Sequence, residues 1–317
     1  SEFYKKQSAL VEQEKLTKAK VIVVGAGGLG CPVLISLSQA GIGTIEIVDF
    51  DKISFSNIHR QSLFSPNLVG EYKAIVAKNR LQEMNPFINI KTQTQRVEAS
   101  NVINLIQEKD LVIDCTDNLE TKYLLHDACL KTGTALISGS VFKRDGVLRT
   151  FIPNRDWGCL RCHSNSTPKD SLLGNCNDFG VVGAYVNILG SMMASEALQY
   201  LQHRTNTSHT HTILLSAHNL QVSKIKNSKR VDCQYCRGFF EIENSPDFEI
   251  SKDELTSQHQ LLDIRELNEE DIEPYLNSKE PVVLCCHRGI RSKILTTHLR
   301  DKGYQHFFSL KGGSCSL

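Results

Sequence analysis

Val21-Ile22-Val23-Val24-Gly25-Ala26-Gly27-Gly28-Leu29-Gly30 is the stretch on which the fold turns. A β-branched run without alternation predicts a parallel strand buried on both faces. Glycines at G-x-G-x-x-G spacing let the chain turn tightly, bring backbone close to a phosphate and open a helix whose N-terminus favours anions. By itself the stretch predicts a nucleotide and leaves a redox dinucleotide and ATP level. Residues 29–40 read as the helix that follows, stopped by Gly41, and residues 44–48 as a second strand running into Asp49-Phe50-Asp51. An acidic residue there, about 20 residues past the glycines, is where a ribose hydroxyl is held, which still suits a dehydrogenase.

Beyond Asp51 the pattern changes. Ser56-Asn57-Ile58-His59-Arg60-Gln61 places an amide and a guanidinium just past the second strand, and Lys73 opens another helical stretch, residues 74–84. A redox cofactor has no need of these cations, whereas a triphosphate reacting at its α-phosphorus needs charge neutralised on both sides. Residues 88–97 and 111–114 read as further strands, the latter ending in Cys115-Thr116-Asp117-Asn118. At the carboxyl edge of a doubly wound sheet Asp117 reads as a Mg²⁺ or ribose-phosphate contact, or else as the cap of a helix over residues 119–132. Residues 135–141, 148–152 and 213–216 read as later strands and 186–201 as an apolar helix.

The 317 residues suit two or three domains, and 36 basic against 35 acidic side chains exclude a strong field for nucleic acid or an anionic membrane. No apolar run reaches the roughly 18 residues of a spanning helix and the first ten residues carry no signal-peptide core, so a cytoplasmic protein is expected. Its eleven cysteines are then expected to be reduced. Cys159-Leu160-Arg161-Cys162 and Cys233-Gln234-Tyr235-Cys236 offer four thiolates in the pattern of a closed zinc site. Cys176, in the polar glycine-flanked stretch 174–183, reads equally as a reactive thiol and as an incidental loop residue. His203, His209 and His211 lack a carboxylate partner or a ligand period and read as a solvated loop.

A linker around residues 243–249, holding Ser245-Pro246-Asp247, divides the chain into residues 1–244 and 245–317. The second part reads as a small α/β domain with strands at 261–264 and 282–286 and a helix at 293–302. Cys286 ends a strand before a glycine-bearing loop and Arg291, an arrangement that stabilises a thiolate; Cys285 points the other way and reads as core.

Together these motifs, in this order, resemble the adenylating domain shared by ThiF, MoeB and the ubiquitin-activating enzymes: Gly25 to Gly30, Asp49-Phe50-Asp51, residues 56–61, Lys73, Thr116-Asp117-Asn118, both CxxC pairs, and Cys176 ahead of Gly180-Val181-Val182-Gly183. The resemblance implies a Rossmann-like doubly wound α/β sheet with a zinc-binding insertion. It implies ATP held at Gly25, Gly27, Gly28 and Gly30, with Asp49 on the ribose, Asn57, Arg60 and Lys73 on the phosphates, Asp51, Gln61 and Asn118 beside them, and Asp117 on Mg²⁺. Cys159, Cys162, Cys233 and Cys236 would bind Zn²⁺, and Cys176 falls where relatives form a thioester or persulfide with their protein substrate.

The tail resembles a rhodanese domain through Leu262-Asp263-Ile264-Arg265-Glu266, residues 286–292 and Leu310-Lys311-Gly312-Gly313. Cys286 would carry a persulfide, and the four residues between it and Arg291 match sulfurtransferases, where related phosphatases have one more. The implied function is ATP-dependent adenylation of the C-terminal Gly-Gly carboxylate of a ubiquitin-like sulfur-carrier protein and support of its thiocarboxylation, in thiamin or molybdopterin biosynthesis. The implied partners are that carrier, a persulfide donor such as a cysteine desulfurase, and a second copy of the chain in a homodimer. Two departures stand out. Lys6 occupies the place of an arginine that reaches the partner subunit's ATP site, which loses the bidentate fork, and the rhodanese-like part is short, as in a reduced or truncated domain. An NAD-dependent oxidoreductase, on the glycines and Asp49 alone, and a non-catalytic zinc scaffold for a ubiquitin-like protein are the competing readings.

Overall fold

The β-branched run becomes the central strand of an eight-stranded sheet. The computed structural model describes residues 2–153, 157–163, 180–238, 240, 242, 248–265, 269–286 and 289–313. By their internal contacts these divide into a unit of the residues described up to 242 and a unit of those described from 248 onward. In the first unit helix α1 (Gln13–Lys18) leads into β1 (Lys20–Val24), α2 (Gly30–Ala40), β2 (Thr44–Val48), α3 (Lys73–Met84), β3 (Asn89–Gln93), α4 (Val102–Ile106) and β4 (Leu111–Asp114). Helix α5 (Leu119–Thr132), β5 (Ala135–Phe142), β6 (Asp145–Phe151), the single turn α6 (Leu160–His163), the long helix α7 (Gly183–His203), β7 (His211–Ser216) and β8 (Gln221–Lys226) follow.

The strand order is β3-β2-β1-β4-β5-β6-β7-β8. The first five strands in that order are parallel and the last three join antiparallel. Because β1 is followed by β2 on one side and bordered by β4 on the other, the order reverses there, and a crevice opens at their carboxyl ends. Apolar residues of α2, α3 and α7 (Leu34, Leu37, Leu81, Leu189, Met193) fill one face of the sheet, and those of α4 and α5 (Val102, Ile106, Leu125, Ala128) the other. Each such fully buried aliphatic contributes about 1.5–3 kcal/mol.

Backbone chemistry sets the crevice. Gly25 has φ +93°, a conformation closed to most L-residues, and a Cβ there would sit 2.9 Å from the carbonyl oxygen of Cys115. A Cβ on Gly30 would lie 1.9 Å from the Gly25 carbonyl oxygen, so α2 can begin only with a glycine. Gly41 stops α2 in the left-handed region, and Gly133 does the same for α5. Asn118 caps α5, its Oδ1 accepting from the Thr121 N–H at 2.8 Å, so the capping reading of Asp117 is replaced by its neighbour.

One expectation is corrected, and two features go beyond the sequence reading. The strand expected over 88–97 ends at Gln93. The leader packs at the C-terminal end of α2: Gln7 Nε2 donates to the Ala40 carbonyl at 2.8 Å, and Leu16 is fully buried. Strand β8, with its exposed polar sequence, has no apolar alternation to announce it and lies at the sheet edge, where lysines are favoured.

The second unit is a four-stranded parallel sheet, order β10-β11-β12-β9, built from β9 (Glu249–Ile250), β10 (Gln260–Asp263), β11 (Val282–Cys285) and β12 (Phe307–Leu310). Its helix α8 (Ile290–Asp301) starts a turn earlier than expected, from Gly289 at φ +79°. Cys285 is buried but disulfide-bonded, which departs from the reduced thiol expected. Among the described residues no helix is long and apolar enough to cross a membrane.

Gly30→Ala is expected to lower the unfolding free energy by about 1–3 kcal/mol through overpacking against backbone. Urea unfolding measures it, and an unchanged midpoint would show that the start of α2 is looser than described.

Candidate nucleotide site and metal centre

Asp49 ends β2 beside the glycine loop. Its carboxylate accepts the Ala26 N–H at 2.7 Å and the Asp51 N–H at 2.8 Å, so this one side chain ties the loop of β1 to the turn after β2. Burial pushes its pKa up, against the pull of the Lys73 ammonium. Lys73, itself 5% exposed, donates to Asp51 Oδ2 at 3.1 Å, and its N–H bonds the Asp51 carbonyl at 3.0 Å. Gln61 is 4% exposed, and its Nε2 would lie 3.6 Å from a Cβ on Gly27. Its Oε1 is buried without a partner among the described residues, an orphaned acceptor beside a cradle of glycines. Asn57 and Arg60 lie on a short 3₁₀ turn, Phe55–Arg60, where Arg60 Nη1 donates to the Ser56 carbonyl at 2.8 Å. The start of α7 closes over this turn, Gly183 allowing the His59 carbonyl within 2.7 Å of a would-be Cβ. The structure thus gathers Gly25, Gly27, Gly28, Gly30, Asp49, Asp51, Gln61 and Lys73 at the ends of β1 and β2.

Asp117 and Asn118 follow β4 across the crevice. The sequence reading missed what holds them: the fully buried carboxylate of Asp114. Its Oδ1 accepts Thr116 N–H at 2.9 Å and Thr116 Oγ1 at 2.6 Å, and its Oδ2 accepts Lys122 Nζ at 2.9 Å and Ser138 Oγ at 2.6 Å. Lys122 also donates to the Gly139 carbonyl at 2.7 Å. A buried charge so fully paired carries its desolvation, and losing one partner costs about 3–5 kcal/mol. Only the pairing of β4 with β5, which sets Asp114 opposite Ser138, could have revealed it.

The four thiols of Cys159, Cys162, Cys233 and Cys236 converge within 4.8 Å of one another. Sγ separations of 3.8, 3.7 and 3.5 Å match the edge of about 3.8 Å in a tetrahedral thiolate centre, so the donor set fits a metal ion. Hydrogen bonds from the surrounding thiols, Cys159 first, lower the pKa of Cys236 to about 5, while the same contact raises that of Cys159. The Arg230 N–H points at Cys162 Sγ at 3.4 Å. Helix α5 clamps the first knuckle. His126 Nε2 accepts the Leu160 N–H at 3.0 Å, so its Nδ1 carries the proton and donates to Asp127 at 2.9 Å. Arg161 meets Asp127 with two nitrogens, at 3.2 and 2.5 Å, and lies between the rings of Tyr123 and Tyr235, each 4.5 Å away. Tyr235 belongs to the second knuckle, so one guanidinium joins both knuckles to α5.

Cys176 lies outside the described residues. Lys6 is exposed, on the leader docked at the end of α2 remote from the glycine loop, and is not brought to this nucleotide site. In the second unit Cys286 is 4% exposed; its Sγ receives the Ser292 N–H at 3.5 Å, and Ser292 Oγ lies 3.6 Å away and accepts from Ser309 Oγ at 2.9 Å. Arg291 Nη1 donates to the Arg265 carbonyl at 3.2 Å.

The ThiF family matches residues 4–235. Adenylyltransferase and sulfurtransferase MOCS3 of Culex quinquefasciatus is 36% identical over 225 residues, which make up 71% of this chain and 51% of that protein, so the chain spans about half the length of that relative. Sulfur carrier protein adenylyltransferase of Thermus thermophilus is 36% identical over 228 residues, 71% of this chain and 84% of that one. The crystal structure of E. coli MccB with ATP is similar in fold, with TM-score 0.63 at 22% identity over 71% of this chain and 69% of that one.

Asp127→Ala leaves the Arg161 guanidinium buried without its counter-charge, for an expected loss of about 3–5 kcal/mol in unfolding free energy. Guanidinium unfolding reads this, and a loss below about 1 kcal/mol would mean that the clamp bears little of the fold.

Proposed function

The chain belongs to the ThiF family, and from that premise we propose that it uses ATP to adenylate the C-terminal Gly-Gly carboxylate of a ubiquitin-like sulfur-carrier protein and supports its thiocarboxylation. The observation that carries this reading is the cluster at the crevice: a glycine cradle with an orphaned Gln61 acceptor, the buried Lys73 ammonium and the Asp117 turn on facing strand ends. The relatives, named for adenylyl transfer, favour it over the oxidoreductase and scaffold readings.

In this reading the glycine loop and the N-terminus of α2 receive the phosphates, Asp49 faces the ribose, and Asn57, Arg60 and Lys73 supply donors along the triphosphate. Asp117 would hold Mg²⁺, which when bound neutralises phosphate charge. The carrier's carboxylate oxygen attacks the α-phosphorus as the bond to the bridging oxygen of pyrophosphate breaks. Negative charge grows on the departing pyrophosphate, so fixed cations stabilise the transition state more than the ground state. Sulfur then displaces AMP from the acyl-adenylate. Cys176 and Cys286 are the thiols assigned to that step, Cys286 receiving its sulfur from a persulfide donor such as a cysteine desulfurase.

Cys159, Cys162, Cys233 and Cys236 would bind Zn²⁺ as a closed structural site that does no chemistry. The domains are the adenylation domain, residues 1–244, and a rhodanese-like domain, residues 245–317, in a cytoplasmic protein. The working form is a homodimer. A shallow groove of about 530 Å³ on α7, lined by Asn187, Ile188, Ser191, Met192 and Ser195, supports this, with Asn187 Oδ1 buried and unpartnered among them.

The chain is expected to exchange labelled pyrophosphate into ATP only when a carrier ending in Gly-Gly is present. Asp117→Ala and Lys73→Ala should each lower the exchange rate by about 10²–10³-fold, the usual loss for one charge-stabilising group. Exchange unaffected by both would remove the crevice from the reaction. Cys286→Ala should keep the exchange and lose thiocarboxylate, read by mass spectrometry of the carrier; loss of both activities would contradict the separation of the two steps.

A further inference from the structure

Arg149 is out of keeping with its surroundings. It stands in the middle of β6, half-buried as a residue but with its Nε fully buried, and among the described residues that nitrogen has no hydrogen-bond partner. Among the described residues no ion pair is made to it, and the Tyr123 phenol favours its charged form; burial opposes that form and lowers its pKa. Buried guanidinium groups are normally paired, because an uncompensated charge is costly. The neighbouring Arg161 and Lys122 obey the rule through Asp127 and Asp114.

Its place in the sheet says what it faces. Arg149 is directly opposite Ser138 on β5, and Ser138 is directly opposite Asp114 on β4. Residues paired in this way present side chains on one face, and Ser138 Oγ reaches Asp114 on the face that α5 covers, where Lys122 and Tyr123 lie. Two residues along, Phe151 meets the His126 ring of α5 at 5.0 Å on the same face. Arg149 therefore sits two strand spacings, about 10 Å, from β4, on the far side of β4 from the glycine loop, Asp49 and Lys73. On the adenylation reading the triphosphate seat lies on the β1–β2 side, which would leave the β5–β6 side for the attacking carboxylate and the chain that bears it.

We infer that Arg149 takes a carboxylate of the incoming carrier protein, from the segment just upstream of its Gly-Gly end. An extended tail advances about 3.3 Å per residue, so a terminus placed at the α-phosphate near Asp117 brings the residue about three positions back to the level of Arg149. The assignment rests on the adenylation reading above. It makes the unpaired charge a specificity device: the free protein holds a guanidinium without a partner, and the correct carrier supplies one.

The test uses the full chain and two sulfur-carrier proteins that differ only in the third residue back from the terminal glycine, two places before the Gly-Gly pair, glutamate or glutamine. Pyrophosphate exchange should show a KM for the glutamate carrier lower by on the order of 10-fold or more, as for a charge-assisted hydrogen bond. Arg149→Gln should erase that preference while leaving kcat and the KM for ATP unchanged, and Arg149→Lys should restore part of it. Because the variant removes a half-buried charge that has no ion-pair partner among the described residues, Arg149→Gln should unfold at or above the wild-type temperature. A variant that melts lower and keeps the carrier preference would overturn the inference in favour of a structural role. One that raises the KM for ATP alone would overturn it in favour of a nucleotide contact. If the wild-type chain exchanges with neither carrier, the adenylation reading falls and the assignment of Arg149 falls with it; exchange without a preference for glutamate overturns Arg149 alone.

Discussion

The close approach of two backbones organises this protein. Gly25 turns out of β1 within van der Waals range of the Cys115 carbonyl that leaves β4, and only a glycine at φ +93° permits it. Both strand ends are then held by carboxylates acting on backbone. Asp49 takes the Ala26 N–H beside β1, and Asp114 takes the Thr116 N–H beyond β4. These anchors bring the glycine loop and an acidic turn face to face across a crevice whose position follows from the strand order. The polar groups are tied down by their own network, so the site needs little reorganisation to receive charge.

Helix α5 extends this order away from the crevice. Its first turn is fixed by Asn118, the residue after Asp117, and its middle holds the cysteine knuckles through His126, Asp127 and Tyr123. The thiol cluster is therefore more than a staple between residues 159–162 and 233–236. It is fastened to the helix that presents Asp117, with Arg161 stacked between a tyrosine of each partner element. A closed four-sulfur centre suits that task, since it adds rigidity without reactivity.

The parts legible in sequence were those with local causes. The unalternating β-branched run, the glycine stop at Gly41, and the acidic ends of β2 and β4 marked strands and helices to within a residue or two, and two CxxC pairs foretold a convergence across seventy positions. The residues that went unread depend on topology. Asp114 looked like the last residue of a strand, Lys122 like a helix-surface lysine, Arg161 like the variable residue of a CxxC motif and Arg149 like a polar residue of a strand. Each acquires its role only when strand pairing or helix docking delivers a distant neighbour, such as Ser138 for Asp114 or Tyr235 for Arg161. Strand β8 escaped because an exposed edge imposes no apolar period, and the disulfide of Cys285 because nothing in a β-strand sequence distinguishes a half-cystine from a core thiol.

The central claim is that the crevice directs a protein's terminal carboxylate to the α-phosphorus of ATP. It is tested most directly by running the reaction with a Gly-Gly carrier whose terminal carboxylate carries ¹⁸O and analysing the nucleotide product by mass spectrometry. Attack at the α-phosphorus leaves a carboxylate oxygen on phosphorus when sulfur displaces AMP, so the predicted result is AMP bearing one ¹⁸O and unlabelled pyrophosphate. ADP as the nucleotide product, with ¹⁸O in inorganic phosphate, would place the attack at the γ-phosphorus and contradict the account.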